Sequence, residues 1–261
     1  MFSNVTIAAL AVGAALAILI PVAAVIVYKV KNRDTWLPSA FIGAGTFIVF
    51  ALVLEQLLHT VMLPIVQGNP WIYAVYGALA AGVFEETGRF VAYKTLMRKH
   101  YTTKNAVLMG LGHGGVEAAL VLGVMLLTYL TLTLSANSVG LDKALETAAK
   151  GNAEIAQTLG AQLESIREYN FISCALGIYE RVIAMTLHTC LSVWVYKAVT
   201  HKMWLYPAAI AAHAAFDIFA ALFQAGVITS ILLLYIIFTL FVVVTVFVTV
   251  KLTKKYPDNA R

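Results

Sequence analysis

Acidic, basic and imidazole side chains recur at fixed spacing inside otherwise apolar stretches of this chain. Glu55–His59, Glu85–Arg89, His113–Glu117 and His213–Asp217 are all i,i+4 pairs. On a helix that spacing puts both groups on one face, within reach of each other or of a shared ligand. Arg181 and His188, seven apart, also share a face, and Glu180 adjoins Arg181. Peptide hydrolysis suits such a set, because it needs an activated water, a base for its proton and donors for the developing oxyanion. Glu85 and Glu86 supply the paired carboxylates that general acid–base work uses, and Arg89, one turn on, can orient one of them. His113, His188 and His213, from three separate apolar runs, would make a zinc site with an open fourth position. The HExxH zinc motif is absent, so a metal-free glutamate mechanism stays open beside the metal-dependent one.

The elements that must position these groups follow from composition. The chain has 261 residues, 61% hydrophobic and only 12% charged. Soluble domains run near ~45–50% apolar and ~25% charged, so the expected fold is an all-α, polytopic transmembrane bundle. Seven apolar runs, approximately 4–28, 37–63, 71–96, 105–134, 170–197, 203–223 and 227–250, are long enough to cross a bilayer, which takes about 20 residues. The first run lacks a basic leading segment and is too long for a cleaved signal, so it should remain as a spanning helix. Cys174 and Cys190 lie in one run, roughly 24 Å apart along a helix, too far for a disulfide within it.

Basic residues set the orientation. Lys29, Lys31, Arg33, Arg98, Lys99, Lys104, Lys197, Lys202, Lys251, Lys254, Lys255 and Arg261 fall on one side of a seven-span topology, and Lys143, Lys150 and Arg167 on the other. That bias puts the N-terminus outside and the C-terminus in the cytoplasm. Residues 135–168 form a long extracytoplasmic loop. Ile155, Leu159, Leu163 and Ile166 recur there at helical spacing among acidic residues, the pattern of one or two amphipathic helices. No repeat or second domain is evident, so residues 1–261 read as a single integral membrane domain in the cell membrane. The lipid bilayer is its expected environment, and no nucleic-acid partner is expected.

Ionisable groups at mid-membrane cost roughly 2.5–3.5 kcal/mol each even on lenient scales, and mark function by default. Here they agree in depth. His113, His188 and His213 each lie about nine or ten residues from the cytoplasmic end of their run, roughly 13–15 Å deep, and Glu86 lies at a similar level. Gly110, Gly112, Gly114 and Gly115 flank His113 and would allow close helix approach.

Glu85-Glu86-Thr87-Gly88-Arg89, an apolar helix bearing His188, and His213-Ala-Ala-Phe-Asp217 resemble the three-motif pattern of the CAAX-protease and bacteriocin-processing (CPBP, Abi) superfamily. Gly110-Leu-Gly-His113-Gly-Gly-Val-Glu117 and Glu180-Arg181…His188 are similar to its YhfC-like branch of bacterial intramembrane metalloproteases. The resemblance covers roughly residues 50–225. It implies an all-helical membrane fold with a cytoplasm-accessible cavity, acting on a membrane-associated peptide or protein. It also implies Glu85 or Glu86 as base, His188 as its partner, and His213 with Asp217 as the stabilising pair. The chain departs from the prenyl-protease pattern in several places. Two residues rather than three separate Glu86 from Arg89, position 184 is Ala rather than Phe, and Asp217 stands in place of Asn. His113 and Glu117 are additional and shift the set toward metal binding.

Two other classes use the same residues. A proton-coupled transporter would employ the Glu/His/Arg network as a relay, though such proteins commonly carry internal repeats. A catalytically degenerate scaffold would retain the motifs without activity. A retinal-type receptor is disfavoured, because residues 227–250 contain no lysine.

Overall fold

The structure is a computed structural model that describes residues 1–258. Arg261, counted above with the basic tail, lies outside the described residues. Among the described residues every regular element is helical. The long helices are α1 (Asn4–Lys31), α2 (Pro38–Val66), α3 (Pro70–Lys94), α4 (Thr103–Val139), α7 (Phe171–Thr200), α8 (Leu205–Gln224) and α9 (Ile231–Lys255). Two short helices, α5 (Leu141–Ala148) and α6 (Ala153–Ser165), occupy the connection between α4 and α7. Six of the seven long helices are long and apolar enough to cross a membrane. The remaining one, α3, has 25 residues, about 37 Å at helical rise. Its Glu85, Glu86, Arg89 and Lys94 keep it out of a count made on apolarity, so six qualifying helices stand beside the about seven crossings that the hydropathy pattern predicts.

The local signals are ordinary. Pro70 opens α3, and Asn69 caps it by accepting hydrogen bonds from the Trp71 and Ile72 N–H groups at 3.0 and 3.2 Å, satisfying donors that a helix start leaves free. Asn152 caps α6 in the same way. Two helices are wound more loosely over part of their length. α2 is π-helical at Phe47–Glu55 and α4 at Ala119–Val124. Widened turns of this kind re-aim side chains and occur often at functional sites.

The described chain groups into two compact units. One comprises residues 1–22 and 118–182. Its cores are built on Leu10, Ala14, Ala17, Leu122 and Leu126, and on Phe2, Leu132, Ala136, Ala144 and Leu163. The Phe2 backbone is tied to the Asn137 side chain by two hydrogen bonds of 2.7 and 2.9 Å.

The second unit comprises, among the described residues, 23–117 and 183–258, with a core of Tyr93, Met97, Met109, Leu187, Leu191, Tyr196, Phe216 and Phe238 among others. At one end of this unit four chain segments meet. Trp36 stacks on His100 with ring centroids 3.8 Å apart, and its backbone N–H donates to the Asn105 side-chain oxygen at 2.8 Å. Lys104 pairs with Asp34 at 2.9 Å. Asp258 accepts from Lys197, from Tyr196 and from the Thr103 N–H and hydroxyl at 2.7–2.8 Å. The segments after α1, α3, α7 and α9 thus share one end of the unit, as alternating crossings require.

Candidate functional site

Four helices of the second unit bring the polar residues together. α3 contributes Glu85, Glu86 and Arg89, α4 contributes His113 and Glu117, α7 contributes His188, and α8 contributes His213 and Asp217. Glycine makes the close packing possible around His113. A Cβ on Gly114 would lie 2.8 Å from the Met185 Cα and 3.2 Å from the His188 Cβ, and one on Gly112 would overlap the Ala40 backbone. α4 therefore touches α7 on one face and α2 on another, and His113 is 0% exposed between them.

The hub is Glu85 Oε2. It lies 2.8 Å from His113 Nε2, 3.7 Å from His188 Nδ1 and 4.0 Å from His213 Nε2. The His188 ring is 5.1 Å, centroid to centroid, from the rings of both His113 and His213. Arg89, fully buried, pairs with Glu86, donates to His188 Nδ1 at 2.7 Å and approaches Glu85 at 3.5 Å. His188 Nε2 faces Glu117 at 2.5 Å. His213 sits between two carboxylates, Glu86 Oε1 at 2.8 Å from Nδ1 and Asp217 Oδ2 at 3.2 Å from Nε2.

Hydrogen-bond accounting fixes the orientation of His113. A threonine hydroxyl has one proton to give, and Thr46 donates its proton to the Gly43 carbonyl at 2.6 Å. Toward His113 Nδ1, 3.0 Å away, it can therefore only accept. The ring proton of neutral His113 then resides on Nδ1, and the Nε2 lone pair points at Glu85. Two lone-pair-bearing atoms at 2.8 Å need a proton or a cation between them.

A divalent cation fits this donor set on three observations. Ligand atoms of Glu85, His113 and His188, all buried, lie within 4.8 Å of one another. A histidine that donates from one ring nitrogen to a neighbouring oxygen while the other faces inward is the usual arrangement at metal sites. Glu85 and Glu86 both lie against the Arg89 guanidinium, while Glu117 and Asp217 lie against His188 and His213, and carboxylates gathered in a buried site favour a cation or protons among them. In addition, Glu86 Oε2 is buried with no hydrogen-bond partner, which in a polar centre marks a place for water.

The expected site residues Glu85, Glu86, Arg89, His113, Glu117, His188, His213 and Asp217 are thus brought together. Of the three histidines expected as ligands, His113 and His188 belong to the group of converging donor atoms, while His213 is engaged by Glu86 and Asp217. Glu180 and Arg181 pair with each other in the other compact unit. Glu55 and His59 do pair, at 3.2 Å, and His59 is joined by the Tyr76 hydroxyl at 2.7 Å. Sequence reasoning missed Thr46, Tyr76 and the Asp258 clamp. A threonine three residues after a glycine in an apolar run gave only a faint signal for the first.

A family model described as "YhfC intramembrane metalloprotease" matches residues 16–238. The chain is 32% identical over 235 residues to a protein of Bacillus subtilis strain 168 named "Uncharacterized membrane protein YhfC", with 87% of this chain and 89% of that protein covered. No solved structure matches. The match over most of the chain includes every residue of the polar centre, and the chain belongs to the YhfC intramembrane metalloprotease family.

Proposed function

We propose that this chain is a membrane-embedded metalloprotease that hydrolyses a peptide bond within or next to the bilayer. The observation that carries the proposal is the convergence of Glu85, His113 and His188 donor atoms on one buried point. In the proposal these three residues hold a divalent ion, zinc, for which a mixed imidazole and carboxylate set is suited. The ion would supply positive charge that polarises the peptide carbonyl and eases loss of a proton from water. His188 Nδ1, now accepting from Arg89, is the lone pair that the ion would take.

The chain's own groups divide the remaining work. Glu86 is the general base, because its Oε2 is unpartnered while Arg89 and His213 hold Oε1. Arg89 fixes that carboxylate and offsets its charge in a buried region. Glu117 holds His188 from the far side. His213, flanked by Glu86 and Asp217, is placed to donate to the developing oxyanion and to return a proton to the leaving amine.

The test is hydrolysis of quenched-fluorescence transmembrane peptides in proteoliposomes containing the full chain. Loss of the base should lower the rate in Glu86→Gln by about 100-fold or more, within the range of general base catalysis, with metal content and folding unchanged. Wild-type rates in Glu86→Gln would exclude Glu86 as base, and a rate insensitive to chelator would exclude the metal.

A further inference from the structure

Exposure is uneven across the polar centre. The Glu86, His213 and Glu85 side chains are 0%, 2% and 8% exposed, whereas Asp217, bonded to His213, is 31% exposed. Its open side lines a pocket of about 240 Å³ shared with His59, Tyr73, Gly77, Ala221 and Gln224. Tyr73 is in the first turn of α3, and Gln224 is the last residue of α8. The mouth is therefore at the end of the unit that carries the 67–69 turn, opposite the end gathered around Asp258. Asp217 lies seven residues inside the end of α8, about 10 Å deep. The wall is mixed, with Leu63 and Ala220 beside the polar groups, and its His59 is held between Glu55 at 3.2 Å and Tyr76 at 2.7 Å. Glu55, His59 and Tyr76 bond to one another beside Asp217, and His59 and Asp217 face the same pocket.

We infer that this pocket is the water-access site of the centre, admitting water to Asp217 and His213 from the membrane face that bears the 67–69 and 225–230 connections. A pocket of this size has room for several waters, and His59, Tyr73, Asp217 and Gln224 supply the two to four polar partners that each requires. The resemblance in the sequence implied a cavity reached from the cytoplasm; the basic loops that mark that side are at the other end of this unit. The need for water rests on the hydrolytic reading, but the location of the pocket does not.

Two experiments on the full chain separate these points. Single cysteines are placed at Ala221 and Gln224 in the pocket, at Gly68 and Lys202 on the two faces, and at Leu240, an apolar residue 62% exposed on α9. A membrane-impermeant maleimide is then applied to each side of oriented vesicles. The reagent attacks thiolates, and each pKa unit by which a dry environment raises a thiol cuts thiolate about tenfold. Ala221→Cys and Gln224→Cys should label from the same side as Gly68→Cys, at least tenfold faster than Leu240→Cys on that scale. Labelling of Ala221→Cys from the Lys202→Cys side, or at the Leu240→Cys rate, overturns the inference. In the second experiment, Gly77→Leu adds bulk at the pocket wall, where a Cβ meets nothing within 4 Å. It should slow peptide hydrolysis about tenfold or more with metal content unchanged, and an unchanged rate also overturns the inference. If the wild-type chain hydrolyses nothing, the protease reading falls, while the labelling pattern still decides the pocket.

Discussion

Thr46 governs the centre through a single proton. Because that proton goes to the Gly43 carbonyl, His113 must donate from Nδ1 and turn Nε2 toward Glu85. Thr46→Val removes the acceptor and leaves a buried ring N–H without a partner, at a cost of about 1–3 kcal/mol. Loss of such a supporting oxygen typically weakens metal binding about 10–100-fold, so zinc titration of the apoprotein should show that loss in Thr46→Val and recovery in Thr46→Ser. Equal zinc affinity in all three would remove Thr46 from the site. The i,i+4 carboxylate, guanidinium and imidazole pairs were legible in the sequence because charged groups stand out where apolar residues are expected. Thr46 was not, since a threonine in a spanning helix commonly bonds only to its own helix, and here it does that as well as meeting His113. Which partner each histidine takes is a matter of ångström-level placement that spacing along one helix does not specify.

The helices supply what the side chains need: closeness and aim. α4 meets α2 and α7 through Gly112 and Gly114, where a methyl group has no space. Gly114→Ala should destabilise the fold by about 1–3 kcal/mol, the usual cost of overpacking, and displace His113 and His188 together. Its thermal melt in detergent and its metal content should fall in parallel, and a variant that melts and binds metal like wild type would refute the close-packing account. The widened turns begin at Phe47, next to Thr46, and at Ala119, two residues past Glu117. No apolar periodicity announces them, so their boundaries were not readable from the sequence. The glycines were readable as a close-packing surface, because four of them around one histidine have little other use in a membrane helix.

The Asp258 clamp acts at the α4 N-terminus. Burial pushes its carboxyl up, but Lys197, Thr103 and Tyr196 together bring it from 3.8 down to about 2. A lowered folded-state value means that the clamp contributes stability above pH 3.8 and loses it as pH falls toward 2. Wild-type chain in detergent should lose thermal stability over that acid window, and Asp258→Asn should lose less of it. At neutral pH the variant leaves the fully buried Lys197 without its carboxylate, at a cost on the order of 1–3 kcal/mol. An acid profile identical to wild type would show that the clamp does not form.

As a whole the chain is an all-helical, multi-pass membrane protein in which one of two compact units holds every residue of the polar centre. The apolar runs announced the crossings well, because a bilayer demands about 20 apolar residues of each. α3 was the instructive one: with 25 residues it is long enough to span, while Glu85, Glu86 and Arg89 lower its apolarity. We propose that the end gathered at Asp258 faces the cytoplasm, since it carries most of the lysines and arginines. The grouping of residues 1–22 with 118–182 was not legible, since it depends on which apolar faces choose each other, and apolar faces are chemically alike. The central claim is that Glu85, His113 and His188 bind a divalent metal. Its most direct test is elemental analysis of the full chain purified in detergent, as wild type, as His113→Ala and as Glu86→Gln. The account predicts one zinc per chain in wild type and in Glu86→Gln, and background metal in His113→Ala. Wild-type protein that hydrolyses peptides with no bound metal, or His113→Ala protein with its metal intact, would contradict it.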